Sequence, residues 1–353
     1  MIMESITKLV EQENLSCKVA QQAMREIMSG SATSAQIAAF LTALRMKGET
    51  IEEIAAFAEI MREHCCRIHP LVTGRLLDTC GTGGDKVKTF NVSTAAAFVI
   101  AGAGVAVAKH GNRSVTSRCG SADVLERLGL NLGNAPEAVK RDIEQVGIGF
   151  MFAPVFHPAM KYAVSPRKEI GIRTIFNVLG PLTNPASANA QLLGVYERRL
   201  IKPAAYVLRK LGCEEAMVVH GLNGLDEIST MGKTAISWLR EGKIANLETA
   251  PRDFCVKQVT EEDLLVSSPE ESAETIFRIL HGQSAADEPK MEIVLVNSAA
   301  GIIVGGKAEN FLQGMEVARK SVDSGAAYKK LKELIHTSSG DLSKLEELES
   351  KYA

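Results

Sequence analysis

The seven cysteines of this 353-residue chain include no Cys-x-x-Cys pair. Cys65 and Cys66 are adjacent and the others are scattered. That odd set argues against a disulfide framework or a zinc site and suits a reducing cytoplasm. A surplus of one charge sign is also missing. Forty Lys and Arg against 42 Asp and Glu leave a net charge of −2, so nothing pulls the chain globally toward nucleic acid or an anionic membrane. The most apolar run, Ala95 to Ala108, is interrupted by Gly102 and Gly104 and is too short to span a bilayer. Met1-Ile2-Met3-Glu4 lacks a basic n-region and a long apolar core, so no secretory signal is expected. There is no internal repeat and no low-complexity segment. What remains is an ordinary globular composition, 46% hydrophobic and 23% charged. The length suffices for two domains, or for one large α/β domain with an appendage.

What is present centres on Leu76 to Ser121. Apolar Leu76-Leu77 leads through Asp78-Thr79-Cys80 into Gly81-Thr82-Gly83-Gly84-Asp85, a turn too rich in glycine for a helix or strand interior. Asn91-Val92-Ser93-Thr94 then opens an alanine-rich helix, with Asn91 or Ser93 as its N-cap. Val105 to Ala108 forms a second strand that ends on Lys109-His110-Gly111-Asn112-Arg113. Strand, glycine turn, helix and strand make the βαβ order of a parallel sheet. Glycines leave backbone N–H groups uncovered, and a helix start adds positive potential, which suits phosphate. Lys109 and Arg113 add cations at the neighbouring strand end. The spacing matches neither the dinucleotide fingerprint nor the Walker loop, so a plain turn stands beside the phosphate-site reading.

Before this stretch the chain reads as short helices. Apolar residues recur at helical spacing from Lys8 to Met28, and Thr33 to Gln36 and Thr50 to Glu53 form capping boxes. Gly48 stops the helix between them. After it, Ser121 is expected to cap a helix ending near Gly129, and Asn134-Ala135-Pro136 starts another that Gly147 stops. A helical insertion from Phe156 to Pro185 carries Arg167 and interrupts the αβ rhythm. A strand at Ala216 to Val219 ends on a loop with adjacent acids, Asp226-Glu227. Thr234 to Trp238 and Lys243 to Leu247 form a hairpin, followed by helices and a Lys/Glu-rich solvated end. Adjacent acids are common on surfaces. On a strand-end loop of the same sheet they could face the phosphate cradle, and a divalent cation would then have to sit between them and the phosphates.

Gly81-Thr82-Gly83-Gly84-Asp85, Asn91-Val92-Ser93-Thr94 and Lys109-His110-Gly111-Asn112-Arg113 together resemble the anthranilate phosphoribosyltransferase family. The resemblance runs over essentially the whole chain. It implies an α/β fold, with a small all-helical N-terminal domain plus a larger α/β domain whose central sheet is mainly parallel. The division expected is a helical domain over 1–72, joined by the insertion at about 160–187, and a catalytic domain over 73–353. The resemblance also implies that Gly81, Gly84, Asp85, Thr89, Asn91, Val92, Ser93, Thr94, Lys109, His110, Gly111, Asn112, Arg113, Ser117 and Ser121 hold 5-phosphoribosyl-1-pyrophosphate. Gly81, Asn112 and Arg167 would contact anthranilate, and Gly180-Pro181 would shape its entry path. Ser93, Asp226 and Glu227 would ligate two Mg²⁺ ions per chain. A homodimer through the helical domain is implied, with no general base assigned and His110 or a water as proton acceptor. The rival readings are a pyrimidine nucleoside phosphorylase, which would not need Asp226-Glu227, and a non-catalytic nucleic-acid binder, which would show a basic face.

Overall fold

The structure is a computed structural model that describes residues 1–84, 87, 89–114, 119–282 and 288–352. Four helices open the chain: α1 (Ile2–Val10), α2 (Cys17–Met28), α3 (Ser34–Lys47) and α4 (Ile51–Glu63). The helical spacing from Lys8 to Met28 does not form one helix. The chain turns at Gln12 with φ +63°, and Ser16 then caps α2 by accepting from the Val19 amide. Both capping boxes form, at Thr33/Gln36 and Thr50/Glu53. The second also braces the bundle. Glu53 is fully buried, takes the Thr50 amide and the Lys47 ammonium at 2.8 Å each, and its other oxygen accepts from Leu15 N–H. That last bond anchors the segment where α1 gives way to α2.

Among the described residues seven strands form one sheet: β1 (Leu76–Gly81), β2 (Ala106–Gly111), β3 (Ile148–Phe152), β4 (Ala190–Gly194), β5 (Glu215–Gly221), β6 (Thr234–Arg240) and β7 (Lys243–Thr249). Their spatial order is β3-β2-β1-β4-β5-β6-β7. The first five run parallel, and the β6–β7 hairpin adds antiparallel strands at one edge. From β1 the chain builds outward through β2 and β3, then returns to β1's other side with β4. The order therefore reverses between β1 and β4, and in open parallel sheets that reversal opens a crevice at the strands' carboxyl ends. The strands end in step there, Gly81 opposite Gly194.

The helices between strands are α5 (Val92–Gly102), α6 (Ser121–Arg127), α7 (Pro136–Val146) and α8 (Ala153–Phe156). The insertion supplies α9 (Lys161–Ile170) and α10 (Phe176–Leu182), and α11 (Ile201–Lys210) follows β4. The chain ends in α12 (Pro269–His281), α13 (Glu288–Val304), α14 (Phe311–Asp323), α15 (Ala326–Thr337) and α16 (Ser343–Lys351). Apolar on every side, α5 is buried from Thr94 to Ala101 between the sheet and α13 and α15. The solvated C-terminal end is only half so, because Leu345 of α16 is fully buried in the main core. On the other face of the sheet, α9 and α10 pack on α2, α3 and α4. One apolar cluster joins Phe40 and Phe57 of the bundle to Leu179 of the insertion and Leu193 and Val218 of the sheet. This shared core fixes the insertion over the strand ends. No described helix is long and apolar enough to cross a membrane.

Candidate active site

The crevice at the β1–β4 reversal encloses about 700 Å³. One wall is the glycine turn after β1. Gly83 and Gly84 both have positive φ, +64° and +79°, a backbone that side chains disfavour. Asp226, 143 residues further along, reaches this turn, and its Oδ2 accepts from Gly83 N–H at 2.9 Å. Glu227 reaches the start of α5, where Ser93 N–H donates to its Oε1 at 3.2 Å. A Cβ on Gly81 would collide with the Asp226 carboxylate, and one on Gly194 with the Asp226 backbone carbonyl. Glycine at both strand ends is what lets the acidic loop lie against the sheet.

The floor is polar and buried. Lys109 is 3% exposed, and its Nζ donates to the Thr79 carbonyl at 2.5 Å and to Ser93 Oγ at 3.3 Å. Burial lowers its pKa, opposed by the neighbouring Asp78. Asp78 is fully buried, which raises its carboxyl to about 6, while Oδ1 accepts from His110 N–H at 3.2 Å. Beside it, the His110 and His157 rings lie 4.9 Å apart. Burial depresses them to about 3 and about 4, so both are neutral near pH 7, and neither Nε2 has a hydrogen-bond partner.

The opposite wall is the insertion. Arg167 is half-buried on α9, and its guanidinium carbon stands 5.2 Å from the Phe176 ring centre. Burial alone lowers its pKa. No carboxylate pairs with it among the described residues. A desolvated, unpaired guanidinium favours an anion, and its planar fork suits a carboxylate.

Most residues expected at the site line this one crevice: Gly81, Gly84, Thr89, Asn91, Val92, Ser93, Lys109, His110, Gly111, Asn112, Arg113, Ser121, Arg167, Asp226 and Glu227. Asp85 and Ser117 lie outside the described residues. Several expectations change in detail. The Thr94 side chain is fully buried, with Oγ1 unpartnered, and does not line the crevice. Position 94 is the third residue of α5, and helical twist turns it into the core. The Arg113 guanidinium is not directed at a phosphate cradle. It pairs with Asp123 at 3.0 Å and with Glu126 at 2.7 Å, because α6 presents both acids toward it. Ser121 does not cap α6. Gly120 holds that position, and Asp123 accepts from the Gly120 and Ser114 amides. Asn91 sits at the N-cap of α5 but its side chain bonds Cys119 O and Ser272 Oγ instead. Sequence reasoning assigned no role to His157 or Arg173, which also line the crevice. An isolated histidine and an arginine in a charged run carry no motif.

Comparisons with known proteins place the chain in a family and a fold. Sequence profiles for the glycosyl transferase family match twice, the helical bundle domain over residues 3–65 and the a/b domain over residues 73–328. An anthranilate phosphoribosyltransferase of Methanocorpusculum labreanum is 51% identical over 340 residues, 96% of this chain and 99% of that protein. This chain belongs to the anthranilate phosphoribosyltransferase family. The crystal structure of the family's Thermus thermophilus member superposes with a TM-score of 0.89 at 39% identity, covering 95% of this chain and 99% of that one. The Saccharomyces cerevisiae member, solved in complex with PRPP and Mg, gives 0.87 at 30% identity, covering 96% and 98%. A second structure of the yeast protein, with 4-fluoroanthranilate, gives 0.86 at 29% identity with the same coverage.

The donor set fits a small hard cation. Asp226, Glu227 and the Ser93 hydroxyl converge on the crevice, and Mg²⁺ binds one or two carboxylates together with substrate phosphate oxygens and water. No group of three or more His, Cys, Asp or Glu among the described residues could hold a metal by itself. A set of two carboxylates and a hydroxyl would need the remaining oxygens from substrate phosphates and water.

Proposed function

We propose that this chain transfers the 5-phosphoribosyl group of 5-phosphoribosyl-1-pyrophosphate to the amine of anthranilate, releasing pyrophosphate, in tryptophan biosynthesis. One observation carries the reading. The glycine turn and the Asp226-Glu227 loop, distant in sequence, meet across a single crevice whose far wall bears Arg167, with which no carboxylate among the described residues pairs.

The residues then divide the work. Amides at the glycine turn and the α5 start, with Lys109 beneath, would hold the phosphates in a positive backbone field. Asp226, Glu227 and Ser93 would hold two Mg²⁺ ions, whose chemistry is to neutralise charge on the departing pyrophosphate. Arg167 would take the anthranilate carboxylate in two parallel hydrogen bonds, with Asn112 and Gly81 beside it, and so aim the ortho amine at the anomeric carbon. The neutral His110 and His157 rings line that side without adding charge. As the bond from C1 to pyrophosphate oxygen breaks, a bond from nitrogen to C1 forms, and the nitrogen proton leaves to water or His110. An aniline amine is already neutral at pH 7, so no strong base precedes attack. Positioning and electrostatics supply the rate.

Three finer points belong to the same proposal. The helical part comprises residues 1–72 with the insertion near 160–187, and the catalytic part residues 73–353. The chain works as a cytoplasmic homodimer through the helical part. Met3, Val10 and Met46, on the packed helices α1 and α3, support this with exposures of 60, 66 and 76%.

The direct test mixes the protein with anthranilate, phosphoribosyl pyrophosphate and Mg²⁺ and follows anthranilate fluorescence. Mg-dependent loss is expected, and no loss at any metal concentration rejects the assignment. Sedimentation of a Met46→Glu variant as a monomer, with wild type as a dimer, tests the interface.

A further inference from the structure

Arg173 belongs neither to the phosphate set nor to the aromatic-acid contacts. It follows Gly171, the left-handed stop of α9, and precedes α10, so it stands at the bend of the insertion. Its Nη2 donates to the Gly84 carbonyl at 2.6 Å, across 89 residues of sequence. Its guanidinium carbon lies 4.3 Å from the centre of the Tyr196 ring. Tyr196 is itself tied to the glycine turn, because its amide donates to Thr82 Oγ1 at 3.0 Å while Thr82 N–H donates to Gly194 O at 2.9 Å. A Cβ on Gly84 would stand 2.7 Å from Arg173 Nη2, so glycine here also makes room for the guanidinium. No carboxylate pairs with Arg173 among the described residues.

We propose that Arg173 is a positioning residue for the phosphate-binding turn, acting through the Gly84 carbonyl. This rests on reading the crevice as a phosphoribosyl-pyrophosphate site. Gly84, with φ +79° and no side chain, leaves the peptide that bears its carbonyl cheap to rotate. A peptide turned one way offers a phosphate an N–H, and turned the other way it offers a repelling oxygen. A charged donor that holds the Gly84 oxygen selects between the two, and the Tyr196 face keeps the guanidinium in place. Arg167 and Arg173 lie on the same insertion, so the wall that reads the aromatic acid also sets the turn that reads the phosphates.

The test is calorimetric titration of Mg²⁺-phosphoribosyl pyrophosphate into wild type, Arg173→Ala, Arg173→Lys and Tyr196→Leu, with thermal melts and steady-state kinetics on each. Loss of one charged hydrogen bond predicts that Arg173→Ala weakens the sugar phosphate about tenfold, with the melting temperature and the anthranilate KM nearly unchanged. Arg173→Lys keeps a charged donor and recovers part of the loss. Tyr196→Leu frees the guanidinium and falls between wild type and Arg173→Ala. Wild-type affinity in Arg173→Ala, an equal rise in both KM values, or no recovery by lysine overturns the proposal. So does a Tyr196→Leu that binds like wild type while Arg173→Ala does not, because Arg173 would then touch phosphate directly. A wild-type protein that binds no phosphoribosyl pyrophosphate defeats the site assignment itself, whereas normal wild-type binding matched by Arg173→Ala defeats only the role of Arg173.

Discussion

The two walls of the crevice are built on opposite principles. On the sheet side the donors are already engaged: Gly83 N–H by Asp226, Ser93 N–H by Glu227, and Lys109 by Thr79 and Ser93. On the insertion side no carboxylate among the described residues pairs with Arg167, and His157, like His110 at the end of β2, keeps an unpartnered Nε2. The difference matches two kinds of ligand. On the proposed assignment a polyanion would meet a wired surface and compete with carboxylates for its amides, which a cation shared by acids and phosphates would make possible. On the same assignment an aromatic acid would meet an arginine that is already desolvated, so less would have to be undone on binding.

The strongest blow to this contrast is the double change Asp226→Asn with Glu227→Gln. Turnover should fall by about a thousandfold, with most of its Mg²⁺ dependence lost, as expected when electrostatic support of a leaving group is removed. A titration of rate against MgCl₂ reads both effects, and a near-normal double variant would remove the metal site. Next is Arg167→Ala. The anthranilate KM should rise about a hundredfold, from loss of two charge-assisted bonds, and the phosphoribosyl-pyrophosphate KM should barely move. Equal rises would mean that the two walls are not separate.

A smaller effect tests the buried imidazoles. His110 and His157 sit at about 3 and about 4 against an ordinary 6.5, and Asp78 at about 6 against 3.8. As pH falls from about 6.5 to about 4, the unfolded chain takes up both imidazole protons and the folded chain does not, so acid costs stability. Asp78 acts oppositely, because the folded chain accepts its proton near 6 and the unfolded chain only near 3.8. Two opposing protons against one leave a net loss of about 1.4 kcal/mol per pH unit from these three groups. His157→Asn should cancel that excess. Urea unfolding at pH 6.5 and 4.5 should therefore show a shallower acid loss in the variant, and an identical loss would mean that His157 does not stay neutral. The least effect belongs to Glu126→Ala at the exposed Arg113 pair, where stability should change by less than about 1 kcal/mol. Arg113 keeps its pair with Asp123 in that variant, so the sugar-phosphate KM should stay unchanged, which initial-rate kinetics would check.

What the sequence made legible was local or carried by motif. Capping boxes at Thr33 and Thr50, the stop at Gly147 and the βαβ order around the glycine turn appear as read. The encounter of residues 81–84 with Asp226-Glu227 followed from both lying on strand-end loops of one sheet. What escaped was pairing between distant groups. Arg113 looks the same in sequence whether it meets a phosphate or Glu126, 13 residues away. Arg173 shows nothing of Gly84, 89 residues away. Thr94 escaped for another reason. It stands inside a motif, but helical twist, not motif membership, decides which of four consecutive side chains lines the crevice.

Gly81 and Gly194 carry a consequence for redesign. Because the acidic loop rests on bare main chain at both strand ends, trimming side chains there creates no extra room. The reachable freedom lies at the exposed positions of α9, such as Val164 at the crevice lip, which are not part of the core shared with the sheet. A survey of substitutions around the cleft should come out lopsided, intolerant beneath the sugar phosphate and permissive around the acceptor ring. Attempts to admit bulkier aromatic amines would begin on the permissive half.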